Sequence, residues 1–260
     1  MFGMSYLNIV GDMVCFPSWN EDDDSPFKWD GVRCNSRSNR VSDLVLDGFE
    51  LSGKMGRLSD LRVIDLSENS LSGSVPSGFF DQCGSLRSIS LAGNKFTGLV
   101  PDSLGKCSSL GAFNVSGVWS LNRLREESET GVVPDEIGAC ALLRSIDLSE
   151  NSFSGSLPST LQKLSLCNEL DFHGNLLADE LSECIGEMGS LQTVDLSKNM
   201  FSGAVPSVIE FGCESASLKI EVEAMESVCR GHEVILELFR HLNSYFAEAM
   251  DSGCRVMEPT

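Results

Sequence analysis

The strongest constraint on this chain is a unit of about 24 residues that recurs along it. LRSIDLSENSFSGSLPSTL begins at Leu143, similar copies begin at Leu61, Leu86 and Leu191, and a worn copy begins at Cys167. Copies start 24 or 25 residues apart, apart from one interval of 33 residues between positions 110 and 143. Self-similarity at such a fixed spacing is typical of stacked coils rather than of one globular core. The sequence therefore predicts a repeat solenoid.

Each position of the unit has a structural role. The segment L-x-x-I-x-L alternates apolar and polar residues, which is the pattern of a short strand with one buried face. Stacking would join these strands into a parallel sheet on the concave side of the solenoid. An Asn follows three residues after the last Leu, where its amide can pair with otherwise unpaired backbone groups of its own and the next coil. The predicted asparagine ladder consists of Asn69, Asn94, Asn151, Asn175 and Asn199.

The second half of the unit reads F/L-S-G-x-V/L-P, in which Gly permits a tight bend and Pro fixes φ. Together the two halves resemble the plant-type leucine-rich repeat, LxxLxLxxNxLSGxIPxxLGxLxx, over roughly residues 41–212. The wider resemblance is to the extracellular region of plant leucine-rich-repeat receptor-like protein kinases, in particular the group correlated with vascular development. The resemblance implies an α/β horseshoe superhelix with a short parallel concave sheet.

Residues 1–40 resemble the N-terminal cap of that family, through WNEDDDSP at Trp19 and WDGVRC at Trp29. The resemblance implies a disulfide between Cys34 and a Cys that follows Ser-Pro, but Phe27 stands at the partner's position. Cys15 would replace that partner only if the chain doubled back. The disulfide state of Cys15 and Cys34 therefore stays open.

Two further segments depart from the repeat. Residues 117–134 are irregular, because the 33-residue interval is one repeat plus nine residues and Val118 replaces a ladder Asn. We interpret this as a deletion of a non-integral length of solenoid, and a ligand-binding island loop is the less favoured alternative. Residues 213–260 form a non-repeat tail, in which apolar spacing over 216–250 predicts a helix.

Charge excludes some classes of partner. The 260 residues include 38 acidic and 19 basic side chains, which gives a net charge of −19. Binding to nucleic acid or to anionic membrane needs basic surface, so neither is expected. No apolar run approaches the roughly 20 residues of a membrane-spanning helix. The family resemblance implies an extracellular or plasma-membrane location, but the N-terminus is a poor signal peptide, so a cytoplasmic location stays open.

Three of the ten cysteines occupy one position of the repeat. Cys83, Cys107 and Cys140 each precede the next strand Leu by three residues, where other coils have Leu or Met. An apolar position of this kind suits a free Cys, which behaves as a small hydrophobic residue. We therefore expect all three to be buried thiols.

Catalytic motifs are missing from the sequence. His173, His232 and His241 have no nucleophile, carboxylate or metal ligand at motif spacing. The Gly-rich loop, strand Lys, catalytic-loop Asp and DFG of the resembled kinases have no counterpart in the 260 residues. We therefore expect a non-enzyme that uses neither a cofactor nor a metal.

The polar strand positions form two predicted rows on the concave face. The candidate ligand surface consists of Arg62, Arg87, Arg144, Asp65, Asp147, Asp171, Asp195 and His173. Arginines in adjacent coils would suit a carboxylate or an acidic peptide, although Asp65 could neutralise Arg62. Asn114, in the sequon Asn114-Val115-Ser116, is the predicted glycosylation site, with its side chain on the sheet face.

The resemblance implies a non-catalytic module that recognises a peptide or protein, with a co-receptor leucine-rich-repeat kinase as a further partner. The first alternative is an intracellular scaffold protein with the same fold. The second is a truncated receptor fragment without independent function.

Overall fold

The computed structural model describes residues 29–37, 41–53, 61–118, 131–181, 183–202 and 217–219. Its main sheet has nine strands in the order β1-β2-β4-β6-β8-β9-β11-β13-β14. From β2 onward every neighbouring pair is parallel, as the predicted solenoid of stacked coils requires. In chain order the strands are β1 (Val32–Cys34), β2 (Val41–Val45), β3 (Ser52–Gly53), β4 (Val63–Asp65), β5 (Ser70–Ser74), β6 (Ser88–Ser90), β7 (Lys95–Thr97), β8 (Ala112–Asn114), β9 (Ser145–Asp147), β10 (Ser154–Gly155), β11 (Glu169–Asp171), β12 (Leu176–Leu177), β13 (Thr193–Asp195) and β14 (Ser217–Lys219).

The strands form where the repeat alternates polar and apolar residues. In β4, Ile64 is buried while Val63 and Asp65 are partly exposed, which is the side-chain alternation of a strand with one covered face. Equivalent apolar residues lie in register in adjacent strands and enter one continuous core. This row of core residues is Leu44, Ile64, Ile89, Phe113, Ile146, Leu170 and Val194.

The asparagine ladder joins each coil to the one before it. Asn69 Nδ2 donates to Leu46 O of the preceding coil at 2.8 Å and to Leu66 O of its own coil at 3.0 Å. Its Oδ1 accepts from Leu51 N at 2.8 Å. Asn94, Asn151, Asn175 and Asn199 make the same kinds of bond. The predicted ladder is confirmed, and it satisfies backbone groups that would otherwise be buried without partners.

Short 3₁₀ helices and small sheets form the other side of the coils. Proline precedes three of the helices at φ between −64° and −71°, a value that the pyrrolidine ring fixes in advance. Strands β3, β5 and β7 form one minor sheet, and β10 and β12 form another. The described 3₁₀ helices are Asp102–Lys106, Asp135–Ala139, Ser159–Lys163 and Glu183–Ile185.

The long interval in the repeat does not interrupt the main sheet. Strand β8 pairs directly with β9, with Phe113 opposite Ile146, so the two strands that flank the long interval are neighbours in the sheet. Val118, which replaces a ladder Asn, is buried, and its N–H donates to Asn151 Oδ1 at 2.9 Å. Residues 119–130 lie outside the described part, so the deletion and the island loop stay untested interpretations.

The first strand covers the edge of the main sheet. Strand β1 pairs with β2 in the antiparallel direction, and Val45 N donates to Gly31 O at 2.7 Å. Gly31 has φ +75°, and a Cβ atom there would lie 2.2 Å from Val45 O, so only Gly fits this close approach. Cys34 is half-buried with a free thiol. Most of the predicted cap, including Cys15, lies outside the described residues.

One helix prediction is wrong where the structure describes the tail. Ser217–Lys219 forms β14, which pairs with β13 and extends the main sheet beyond residue 212. Leu218 and Ile220 stand 24 residues after Val194 and Leu196, so the repeat period continues into this segment. The remainder of the predicted helix over 216–250 lies outside the described residues.

The expectation of three free thiols is wrong for two of them. Cys83 and Cys107 form a disulfide with Cα atoms 4.9 Å apart, whereas Cys140 is a buried free thiol as expected. Stacking places equivalent positions of consecutive coils within the 4.4–6.8 Å separation that a disulfide bridges. The apolar character of the position was correctly identified, but the short distance between coils was not.

Candidate functional site

The exposed face of the main sheet places the predicted arginines in one row. Arg87 N donates to Arg62 O at 2.7 Å, Gly111 N to Arg87 O at 2.8 Å, and Arg144 N to Gly111 O at 2.8 Å. Asn168 and Gln192 continue the row through the same backbone bonds. Arg62 and Arg87 are therefore neighbours, and Gly111 alone separates Arg87 from Arg144 along this row.

Arg62 has a different acidic partner from the predicted one. Its Nη2 lies 3.4 Å from both carboxylate oxygens of Asp43, which belongs to the preceding coil. Asp65, the expected partner, instead accepts from the N–H and hydroxyl of Ser67. Asp65 is unavailable because its carboxylate closes a turn with the residue two positions later. Arg62 remains 44% exposed, so this ion pair is a weak surface interaction.

Arg87 and Arg144 carry positive charge that is open to a ligand. Both side chains are exposed, and within the part of the chain that the structure describes no ion pair involves either of them. Neighbouring strands of a sheet are about 4.8 Å apart, so the two positions lie about 10 Å apart across Gly111. Gly111 has no side chain of its own to place between the two arginines.

A second row of polar residues lies at the ends of the same strands. Asp147, Asp171 and Asp195 are directly in register with one another. Asp147 Oδ1 accepts from the N–H and hydroxyl of Ser149 at 3.0 and 2.7 Å, and Asp195 makes the same turn with Ser197. The row continues toward the N-terminus through Asn114, Ser90 and Asp65.

Burial and neighbouring charges in this row affect the pKa of Asp171. Burial raises the pKa of Asp171, and the negative charges of Asp147 and Asp195 raise it further. The hydrogen bond from His173 N–H and the charge of the His173 ring oppose this change. Like charges one strand apart disfavour ionisation of the middle group, which is the expected direction.

His173 contacts both the coil before its own and the coil after it. Its Nε2 is 3.0 Å from Glu150 Oε1 in the preceding coil. Its Nδ1 is 2.8 Å from Ser197 Oγ and 3.8 Å from Asp195 Oδ1 in the following coil. The ring is therefore part of a polar network on the sheet face, and not an isolated surface imidazole.

Asn114 lies on β8, the fifth of the nine strands of the main sheet. Its Oδ1 accepts from both the N–H and the hydroxyl of Ser116 at 2.9 Å. The side chain is half-buried and shares its row with the aspartates. The two polar residues of the sequon thus contact each other at the middle of the candidate ligand surface.

Among the described residues, no group of three or more His, Cys, Asp or Glu side chains has an arrangement that could hold a metal ion. Within the same residues, no helix is long and apolar enough to cross a membrane.

Known protein families provide an independent comparison. The profile described as Leucine Rich Repeat matches residues 60–81, 85–107, 142–164 and 190–211. These are four segments in which the structure has a strand of the main sheet followed by a ladder Asn. The chain carries leucine-rich repeats.

The leucine-rich repeats are homologous to those of plant receptor-like kinases. A leucine-rich repeat receptor-like protein kinase of Arabidopsis thaliana is 32% identical over 204 residues, covering 54% of this chain and 18% of the relative. The LRR receptor-like serine/threonine-protein kinase IRK of the same species is 52% identical over 62 residues, covering 22% of this chain and 6% of the relative. The chain thus spans less than a fifth of the length of either relative.

Solved structures share the leucine-rich-repeat fold. The crystal structure of PEPR1–AtPEP1 matches with a TM-score of 0.71 at 23% identity, covering 84% of this chain and 30% of that one. The plant peptide hormone receptor RGFR1 in complex with RGF2 matches with a TM-score of 0.53 at 27% identity, covering 75% of this chain and 37% of that one. The parallel main sheet of stacked repeats is therefore the plant leucine-rich-repeat architecture.

The sequence analysis did not predict the side-chain contacts between neighbouring leucine-rich repeats. Asp43 precedes Arg62 by 19 residues, and Glu150 and Ser197 lie 23 and 24 residues from His173. These separations are close to the repeat period, so a search for partners one period away would have found them. A search restricted to short motif spacing could not.

Proposed function

We propose that these leucine-rich repeats form a non-catalytic recognition module of a receptor-like kinase ectodomain, which binds a peptide or protein in cell-surface signalling. The homology to plant receptor-like kinases supports this function. The structural likeness to a receptor in complex with a peptide hormone supports a peptide as the ligand class. A co-receptor leucine-rich-repeat kinase is a second candidate partner by the same homology.

The observation that carries the proposal is the exposed Arg87–Gly111–Arg144 segment of the sheet face. Arg presents a planar fork of donors that suits a carboxylate better than a point charge does. Each of the two arginines is one strand from Gly111, so an acidic group seated over Gly111 would lie between them. Arg62 adds positive charge beside Arg87, since a surface ion pair with Asp43 is worth only about 0–1 kcal/mol and does not block a ligand.

Apolar side chains next to this segment add a second contact. Leu142 lies two residues before Arg144 and is 47% exposed, and Leu166 holds the same position in the next coil at 36%. A ligand with an acidic residue close to an apolar one would therefore match the surface better than an acidic group alone. Aromatic or aliphatic anchors of this kind commonly provide much of the energy at protein interfaces.

The Cys83–Cys107 disulfide favours the cell surface over the intracellular alternative. Structural disulfides persist in oxidising compartments and are rare in the cytosol. Localising a full-length tagged chain separates the two readings. Secretion with Cys83–Cys107 oxidised supports the receptor-type module, and a cytosolic protein with both thiols reduced would favour the scaffold.

Ligand selection tests the recognition itself. A random peptide library is selected on the secreted wild-type chain and, in parallel, on the double variant Arg87→Gln/Arg144→Gln. A third selection uses Gly111→Gln, which fills the space with the residue that Gln192 places in the same row. We expect acidic peptides to be enriched by the wild type alone. Equal enrichment by all three proteins would place the binding site elsewhere on the surface. Absence of peptide enrichment by all three would favour a fragment without independent function.

A further inference from the structure

The contacts of His173 determine which protons its ring carries. Ser197 Oγ lies 2.5 Å from Asp195 Oδ1, and a carboxylate can only accept, so the one hydroxyl proton of Ser197 goes to Asp195. Ser197 Oγ is then an acceptor toward His173 Nδ1 at 2.8 Å, which must carry a proton. Glu150 Oε1 likewise only accepts, so His173 Nε2, at 3.0 Å, must carry one as well.

We propose that protonated His173 is a pH-sensitive bridge that ties three consecutive coils together and sets the charge of the acidic half of the sheet face. The doubly protonated ring donates backward to Glu150 and forward to Ser197. Its positive charge also lies 3.8 Å from Asp195. The proposal rests on these contacts alone and does not depend on what the sheet face binds.

The surroundings of the ring are strongly acidic. The preceding coil contributes Glu150 and Asp147, and the coil of His173 itself contributes Asp171, whose Oδ1 accepts from His173 N–H at 3.0 Å. The following coil contributes Asp195 and, at the position equivalent to Glu150, the cation Lys198. Two of these carboxylates, those of Glu150 and Asp195, lie 3.0 and 3.8 Å from the imidazole, which is only 24% exposed. Incomplete exposure to water weakens the screening of these charges.

Loss of the proton removes one of the two inter-coil hydrogen bonds. A neutral ring keeps a single N–H. The other ring nitrogen, either Nε2 at Glu150 or Nδ1 at Ser197, then points its lone pair at an acceptor. Both inter-coil bonds together therefore need the doubly protonated ring, the form that imidazoles take in acidic solution.

A double-mutant cycle at two pH values tests the bridge. Urea unfolding of the full chain is measured for wild type, His173→Gln, Glu150→Gln and the double variant, at about pH 5.5 and about pH 8.5. Asp171 and Asp195 are present in all four proteins, so their own titration cancels in the coupling. We expect the His173–Glu150 coupling to change the folding equilibrium constant about threefold or more at the lower pH and to vanish at the higher one.

The ion pair between Lys106 and Asp81 provides the matched control. It also joins neighbouring coils, at 2.7 Å, and both side chains are well exposed. Amines and carboxylates of these types keep their charges between the two pH values. The Lys106→Gln/Asp81→Asn cycle should therefore give the same coupling at both.

Imidazole ¹⁵N spectra of the wild type provide a second readout. The His173→Gln variant is needed only to assign the His173 signal, which is missing from its spectrum. At about pH 5.5, both ring nitrogens of His173 should show protonated shifts. A neutral tautomer at that pH, or a His173–Glu150 coupling equal at both pH values, would overturn the proposal.

Discussion

The side-chain amide of Asn151 donates to the carbonyl oxygen of Val115, 36 residues earlier in the chain, at 2.9 Å. Other ladder residues reach back 23 to 28 residues for the equivalent bond. The ladder bond that spans the long interval is therefore of the same kind as the bonds between coils of regular length. Across the same interval the sheet face stays continuous, because Gly111 N donates to Arg87 O and Arg144 N donates to Gly111 O.

Replacing Asn151 should destabilise the protein. Asn151→Ala leaves Val115 O, Leu148 O and Val118 N–H without these side-chain partners, in a buried setting. Each such group costs about 1–3 kcal/mol, so we expect a loss of more than about 2 kcal/mol in the free energy of unfolding. Urea denaturation measures it. Asn168→Ala, on the sheet face, is the control and should stay within about 0.5 kcal/mol of wild type. Equal midpoints for all three proteins would contradict the ladder.

Reduction of the Cys83–Cys107 disulfide should lower stability. The bond closes a loop with a sequence separation of 24 residues, for which chain-entropy estimates give about 3 kcal/mol. We expect a reductant to shift the urea midpoint of the wild type but not that of Cys83→Ser/Cys107→Ser. Cys140→Ala, which removes the neighbouring free thiol, should keep the response to reductant. A wild type that is indifferent to reductant would show that the bond is absent or without effect.

Neutralising Asp171 should stabilise the protein at neutral pH. Because burial raises the pKa of Asp171, the folded state binds a proton more readily than the unfolded chain, and wild-type stability falls as pH rises through that pKa. Asp171→Asn removes the charge and keeps an oxygen that can accept from His173 N–H. We expect a higher free energy of unfolding at pH 7, with the gain disappearing below the ordinary Asp pKa of 3.8. A free energy of unfolding at pH 7 equal to or below that of wild type would contradict the prediction.

Glycosylation of Asn114 is expected when the chain passes through the secretory pathway. The Ser116 hydroxyl already contacts the Asn114 side chain, and the pair lies on the exposed sheet face. Secreted wild type should lose mass on treatment with a deglycosidase, and Ser116→Ala should not. A wild-type mass that the enzyme leaves unchanged would refute the prediction. An attached glycan would start from the coil that contains Gly111, so Ser116→Ala is also the form in which ligand binding at Arg87 and Arg144 should be compared.

Repetition explains which features could be predicted from the sequence. Ile64, Leu66 and Asn69 recur at fixed offsets inside each coil, so strand, core and ladder positions followed from the pattern. Contacts between coils were less accessible, because they join residues about one period apart whose side chains differ from coil to coil. Arg62 with Asp43, Cys83 with Cys107, and His173 with Glu150 all belong to this second kind. Strand β14 was missed because the apolar spacing from Val228 onward was extended back to 216, although Leu218 and Ile220 alternate as in a strand.

The most direct test of the recognition surface measures the energetic coupling between an acidic group of the ligand and the two arginines. An acidic peptide selected by the wild type is compared with its Gln- or amide-neutralised form by calorimetric titration, on wild type and on Arg87→Gln/Arg144→Gln. If a carboxylate sits between these side chains, neutralising it should weaken wild-type binding about tenfold, or about 1.4 kcal/mol, and leave the double variant unaffected. The same loss on both proteins would contradict the assignment of Arg87 and Arg144 as the site.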